Sequence, residues 1–458
     1  MAQGQPSAYV QRLSQTKRDF LQAVQANQAQ DWVVSVGNEA GDLDSLASAL
    51  GYAHFAAQRE PASSKRRFVP LVLTARGDFQ LRPENVIALE SASVPVDSIL
   101  TVDELPTAQL AALGAHFALV DQNVLPAIFR ARPEEPSDVD DDRRVVAIID
   151  HHADEGRHLD ASPRKIEMVG SCASLIATAF AVSDEANSTA PTPALDVPAP
   201  LADLLLSAIM IDTRLKRVED GGKATSVDLS AVSSLLASSS FAASHPSNIS
   251  APSVPSSSFS PDDSPALVAL RAHNSRLAAA KEDVSHLSLR DLLRRDYKEY
   301  AESGARYGLS TVPLGLHVLL DKAPGGDAAS AEDKVAFVLS AVRAWTDERE
   351  LDLAGVLTSF THVKRKSGKE GKHRRELVLV ARGALHARLE GVFARLEQDE
   401  TLRLEAWKDA KEYGGIEEGA GEQERWRIWQ QGNDRATRKQ VAPALKALVI
   451  DAMEGSGP

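Results

Sequence analysis

Short, uninterrupted apolar runs take turns with segments of helical spacing along the N-terminal half of the chain. Trp32-Val33-Val34-Ser35-Val36, Phe68-Val69-Pro70-Leu71-Val72-Leu73, Ser98-Ile99-Leu100-Thr101-Val102, Phe117-Ala118-Leu119-Val120 and Val145-Val146-Ala147-Ile148-Ile149 predict strands. Leu46, Leu50 and Ala53 mark a helix over 45–57. The strand runs are continuous rather than alternating, as in parallel sheets buried on both faces. Strand and helix in turn predict a doubly wound α/β domain, where ligands bind beyond the carboxyl ends of the strands.

The second half has another rhythm. Apolar runs at 354–358, 376–380 and 425–429 predict strands, and spacing predicts helices over 331–349, 384–397 and 439–453. A long helical segment from 266 to about 300 leads into them. Two stretches interrupt the patterns: 183–200, rich in Ala, Pro, Ser and Thr, and 238–265, denser in Ser and Pro. Neither offers enough apolar surface to offset ordering, so both are expected as mobile loops. The expected organisation is a first domain over 1–237, a linker or insertion over 238–265, and a smaller C-terminal α/β domain over 266–458 with a leading linker helix.

Composition narrows the classes. The 458 residues carry 51 Lys and Arg against 64 Asp and Glu, a formal charge of −13, which opposes generic nucleic-acid binding. One Cys excludes a disulfide scaffold and Cys-rich metal sites. Cys172, with no basic neighbour in sequence, reads as a buried small residue. His54 and the Trp residues at 407, 426 and 429 read as core. No apolar run approaches the ~20 residues of a spanning helix, and the start lacks a signal-peptide pattern. A soluble, cytoplasmic monomer with no nucleic-acid or membrane partner is expected.

Polar residues gather where the predicted strands end. Gly37-Asn38-Glu39-Ala40-Gly41-Asp42-Leu43-Asp44-Ser45 follows the first run, Asp121-Gln122-Asn123 the fourth, and Asp150-His151-His152 the fifth. Asp212 follows the apolar helical run 204–211. Asp42 alone reads as a helix N-cap, but a carboxylate in an apolar helix needs a partner or a metal. Four segments thus bring carboxylates or imidazoles to one sheet edge, an arrangement that repels unless cations sit among them. Asp42 and Asp44 could serve two adjacent ions, and Asp121, with two oxygens, could bridge them. Such an ion pair suits in-line displacement at phosphorus.

The second half supplies the opposite sign. Arg294-Arg295-Asp296-Tyr297-Lys298, Thr437-Arg438-Lys439 and the stretch 362–375, with Lys364, Lys369, Lys372, His373, Arg374 and Arg375, concentrate cations in an acidic chain. Taken alone the long stretch reads equally well as a solvated loop; in this chain it suggests a polyanion track. Arg438 and Lys439 open the last predicted helix, where backbone N–H groups already favour phosphate.

Together these residues carry a family resemblance. The four motifs ending in Ser45, Asn123, His152 and Thr213 resemble those of the DHH phosphoesterase superfamily. Asp296-Tyr297-Lys298 and Thr437-Arg438-Lys439-Gln440-Val441-Ala442-Pro443 resemble the substrate-binding motifs of the C-terminal domain shared by family II inorganic pyrophosphatases and fungal cytosolic exopolyphosphatases. The Gly-Gly-Gly-His motif of the nuclease-type relatives is absent. The resemblance implies an active site in the cleft between the domains and two divalent ions, Mg²⁺ or Mn²⁺, with Co²⁺ a further option. It implies Asn38 and Asp42 at one ion, Asp44, His151 and Asp212 at the other, and Asp121 between them. His152 would meet the substrate or nucleophile, and Lys298, Arg438 and Lys439 would hold phosphates. Asn38 stands where family II pyrophosphatases have His, which brings the chain nearer the exopolyphosphatases. The implied reaction is hydrolysis of terminal phosphoanhydride bonds of polyphosphate. A pyrophosphatase and a non-catalytic polyphosphate-binding regulator stay open as alternatives.

Overall fold

The computed structural model describes residues 6–110, 112–130, 139–180, 195–243, 264–363, 370–386, 389–420 and 424–454. Most of the expected loop 183–200, most of 238–265, and the tip of the basic stretch with Lys364 and Lys369 lie outside the described residues. The chain divides into two compact units, Met1–Lys281 and Glu282–Pro458.

In the first unit β1 (Trp32–Val36), β2 (Arg67–Val72), β3 (Leu100–Thr101), β4 (His116–Val120), β5 (Val145–Asp150) and β6 (Arg164–Ile166) form one sheet. Its order is β3-β2-β1-β4-β5-β6, and every neighbouring pair is parallel. Both faces are covered. Val33, Ala118, Val120, Ala147 and Ile149 pack into one core with the helices Leu43–Arg59, Cys172–Ala179 and Ala199–Thr213. Trp32, Val34, Val36, Phe117, Leu119 and Ile148 pack into a second core with Phe20 and Val24 of the helix Ala8–Gln25. Two covered faces are why these strands read as unbroken apolar runs. The strand order reverses between β1 and β4, so the carboxyl ends of these two strands flank a topological switch point.

The expected strand at 98–102 shortens to Leu100–Thr101, because Thr101 and Glu104 form a capping box that starts a helical turn at once. The polar strand β6, absent from the sequence reading, pairs with β5 through its backbone.

The second unit holds β7 (Tyr297–Glu302), β8 (Ala305–Val312), β9 (Leu353–Thr358), β10 (Phe360–Val363), β11 (Glu370–Arg374), β12 (Glu376–Arg382), β13 (Leu404–Ala406), β14 (Glu418–Ala420) and β15 (Glu424–Gln431). The main sheet runs β13-β15-β12-β9-β8-β7, with β14 on β15, while β10 and β11 form a separate hairpin. β8 and β9 are parallel, and the other pairs are antiparallel. Leu309, Leu357, Leu377 and Leu379 pack against Leu396, Val441, Leu445 and Val449.

The continuous helical segment expected over 266–300 is corrected here. One helix spans Pro265–Glu282, a second spans Leu289–Arg295, and Tyr297 opens a strand. The break has a local cause: Ser288 and Asp291 form a capping box that starts a new helix. Ser303 and Gly304, with φ of 48° and 81°, close a two-residue hairpin between β7 and β8. Lys298 therefore stands on a strand. The helix Pro265–Glu282 lies in the first unit down to Lys281, since Leu267, Leu270 and Leu277 join the larger core and His273 meets the Ser207 hydroxyl at 3.0 Å.

Candidate active site

The turn after β1 is built to bring side chains close together. A Cβ on Gly37 would stand 2.5 Å from that of Ser45, and Gly41 has φ of +58°, so glycine is needed at both. Asp42 then caps the helix Leu43–Arg59, accepting from the Ser45 N–H at 3.0 Å. The N-cap reading of Asp42 holds in this geometry.

Asp121, at the end of β4, is 2% exposed and adopts φ of 57°, an unusual conformation for a residue other than glycine. Its Oδ2 accepts from Asn38 Nδ2 at 2.7 Å and from the Ser45 hydroxyl at 2.6 Å. Its Oδ1 makes no well-formed hydrogen bond; His151 Nε2 lies 3.3 Å away and His152 Nδ1 3.6 Å away. Asn38 faces inward differently from the expectation. Its Oδ1 accepts from the Ala40 N–H at 2.9 Å and its Nδ2 is turned to Asp121. In this orientation it steadies Asp121 rather than offering an oxygen to a cation.

Asp44 is held by the start of the helix Cys172–Ala179. It accepts from the Cys172 and Ala173 N–H groups at 2.7 and 2.8 Å and from the Ser171 hydroxyl at 2.8 Å. That loop is clamped in turn by Asp228, which accepts from the Gly170 and Ser171 N–H groups and from the Ser174 hydroxyl.

The two imidazoles after β5 are sorted by their partners. His151 Nδ1 donates to the Val169 carbonyl at 3.1 Å, which leaves Nε2 toward Asp121 and Asp44. A ring so oriented is a ready metal ligand. His152 instead commits Nδ1 to Asp150 at 2.8 Å. Asp121, His151 and His152 have donor atoms close enough to hold one ion, but the nitrogen His152 turns toward Asp121 is already bonded. His151 is the better ligand of the pair.

The site is short of positive charge. Burial and the neighbouring Asp44 and Asp42 push Asp212 up to about 8. Burial and Asp121 push Asp44 up to about 6. Burial works against a charged His151, yet Asp121, Asp44 and Asp212 outweigh it and raise the ring to about 10. Burial would likewise raise Asp42, but Arg82, Lys281 and the Ser45 N–H outweigh it and hold it low. Protons are thus retained where a divalent cation would relieve repulsion. The unsatisfied Asp121 Oδ1, with His151 Nε2 3.3 Å from it, suits a divalent cation at this place.

In the second unit the two cationic motifs meet although 142 positions apart. Arg438, first residue of the helix Arg438–Glu454, pairs with Asp296 Oδ1 at 2.8 Å and donates to the Asp296 carbonyl at 3.0 Å. Lys298, two residues on, is half-buried on β7, and Lys439 is exposed. On the hairpin, Lys372 and His373 are exposed. Arg374 lies 3.6 Å from Asp409, and Arg375 donates to the Asp434 carbonyl at 2.8 Å, so these two brace the base of the hairpin. Desolvation and the Arg375 guanidinium hold His373 below its ordinary range.

Sequence reasoning missed Ser45, Asn123, Asp150 and Asp228 as organisers of the site. Ser45 and Asp150 had a signal, since each stands beside residues singled out as ligands. Asp228 had none.

A buried carboxylate and imidazole cluster at the switch point of a parallel sheet, in a chain whose second unit groups cations, is the arrangement of a phosphoesterase. The chain carries two family domains: residues 32–209 match the DHH family N-terminal domain and residues 275–448 the DHHA2 domain. It is similar to a Schizosaccharomyces pombe protein named "Putative exopolyphosphatase", 28% identical over 437 residues and 94% of each chain. It also resembles "Exopolyphosphatase PRUNE1" of Bos taurus, 28% identical over 290 residues, which are 63% of this chain and 54% of that one. The chain thus matches about half the length of that mammalian relative. A solved Methanococcus jannaschii structure titled as a "putative family II inorganic pyrophosphatase" aligns over 91% of this chain and 99% of that one, at 18% identity and a TM-score of 0.48. No helix among the described residues is long and apolar enough to cross a membrane.

Proposed function

We propose that the protein is an exopolyphosphatase, releasing orthophosphate from the ends of inorganic polyphosphate with the help of divalent cations. The observation that carries hydrolysis is the strand-end cluster of Asp44, Asp121, His151 and Asp212, whose mutual repulsion calls for cations. Polyphosphate as the substrate is supported by the similarity to the fission-yeast chain over 94% of both lengths and by the exposed Lys372 and Lys439 of the second unit.

Asp42, Asp44, Asp121, His151 and Asp212 would hold the cations; Asn38 would join them only by turning its amide over and giving up the Ala40 N–H. Bound there, Mg²⁺ or Mn²⁺ would supply Lewis acidity toward phosphoryl oxygens and lower the pKa of water. His152, anchored by Asp150 through Nδ1, offers Nε2 to the substrate or the attacking water. Water adds to the terminal phosphorus as its anhydride bond to the chain breaks, and the water protons pass to solvent or to the products. Lys298, Arg438 and Lys439 would neutralise the equatorial and leaving oxygens. The leaving polyphosphate is a stable anion, so no strong general acid is required.

The test is orthophosphate release by the purified protein with Mg²⁺, from long-chain polyphosphate and from pyrophosphate separately. Rapid release from polyphosphate and little from pyrophosphate is expected. The reverse ranking would make the protein a pyrophosphatase, and release from neither would make it a binding protein.

A further inference from the structure

Asn123 is 3% exposed and every polar atom of its side chain is used. Nδ2 donates to Asp150 Oδ2 at 2.6 Å and to the Ala153 carbonyl at 2.9 Å, while Oδ1 accepts from the Glu155 N–H at 3.0 Å. The partners leave its amide a single orientation. Asp150, itself fully buried, passes the constraint on. Its Oδ1 accepts from His152 Nδ1 at 2.8 Å and from the N–H groups of His151 and His152 at 2.8 and 3.2 Å.

We propose that Asn123 is a positioning residue for His152. By fixing the Asp150 carboxylate it keeps the His152 proton on Nδ1 and leaves Nε2, on the far side of the ring, to meet the phosphate chain. A ring nitrogen's role is set by the hydrogen bond its partner nitrogen makes. A carboxylate free to turn at position 150 would loosen its hold on the Nδ1 proton, so that either ring nitrogen could carry it and Nε2 would no longer be kept as the free acceptor. The inference rests on His152 being the group that meets substrate.

The experiment uses the full chain with ¹⁵N-labelled histidine and saturating Mg²⁺. Long-range ¹H–¹⁵N correlation spectra, recorded where the ring is neutral, read the His152 tautomer directly. Wild type should show the Nδ1–H form, and Asn123→Ala a mixture of forms. Its kcat for orthophosphate release should fall about 10–100-fold, as for other partners of site residues, with KM moving far less. If Asn123→Ala does not fold, the wild-type spectrum and Asp150→Asn, which should give the same mixture, carry the test. An Nε2–H form in wild type would overturn the proposal. So would an Asn123→Ala protein with an unchanged tautomer, or one with a mixed tautomer and unchanged kcat. A wild-type chain that releases no phosphate would count against the proposed substrate, and the spectra would still decide whether Asn123 positions the ring.

Discussion

The two units handle charge in opposite ways. In the first, Asp44 and Asp150 are buried and each accepts from at least three donors, most of them backbone N–H groups. In the second, Lys372 and Lys439 are exposed, and the better-held Arg374, Arg375 and Arg438 use part of their donor capacity on the protein itself. The first arrangement gives each carboxylate one orientation, which in-line chemistry requires. The second supplies a field and long adaptable side chains, which suits a repeating polyanion. Damage to the first unit should therefore abolish turnover, and damage to the second should change which chains are used.

The largest effect is expected at Asp121. Asp121→Ala removes a buried carboxylate whose Oδ1 lies within 3.6 Å of both the His151 and His152 rings, and turnover should fall by at least about 100-fold with the circular dichroism spectrum unchanged. Substantial turnover at saturating Mg²⁺ would break the contrast between the units. Next comes the hairpin. Neutralising Lys364, Arg365, Lys366 and Lys369 together should raise KM for long polyphosphate about tenfold and for tripolyphosphate much less. The difference should shrink as added salt screens these charges; equal changes for both substrates would make the stretch a solvated loop.

Metal-free protein should show the charge deficit of the first unit as a pH dependence. Asp44, Asp212 and His151 are all raised in the folded state, to about 6, 8 and 10. Folding then takes up protons, so their stabilisation is complete below the ordinary values and is lost as pH climbs through the raised ones. Asp42 and Asp150 are lowered and act only in the acid range. The metal-free Tm should be several degrees lower at pH 9 than at pH 6, and Mg²⁺ should restore it at pH 9. A Tm flat across this range would remove the deficit. The smallest effect is expected at Asn38. Asn38→His should tighten Mn²⁺ and raise the Mn²⁺/Mg²⁺ activity ratio severalfold, because imidazole suits the transition metals. An unchanged ratio would confine residue 38 to steadying Asp121.

The same contrast explains what could be read from the chain. The first unit's strands announced themselves as unbroken apolar runs, and Asp42, Asp121, His151 and Asp212 stood at their ends or on a buried helix. Their anchors were harder to read: Asn123 stood inside a motif, but its grip on the Asp150 carboxylate depends on the fold, and Asp228 acts largely through the Gly170 and Ser171 N–H groups, which leave no mark on residue choice. In the second unit β7 was hidden behind the helix Leu289–Arg295, and its own residues, Tyr297 to Glu302, alternate only weakly. The Ser303-Gly304 turn was the legible signal for that hairpin. Asn38 shows the limit most clearly: its place in the motif was evident, but the direction of its amide depends on Ala40 and Asp121 together.

The claim on which the rest depends is that the strand-end cluster of the first unit binds divalent cations. Equilibrium dialysis of Mn²⁺ against the full chain, beside Asp121→Ala and His151→Ala, addresses it without any substrate. The account predicts saturable binding by wild type that both substitutions weaken strongly, together with release of protons as the ion enters. Binding that is absent in wild type, or is the same in all three proteins, would contradict it.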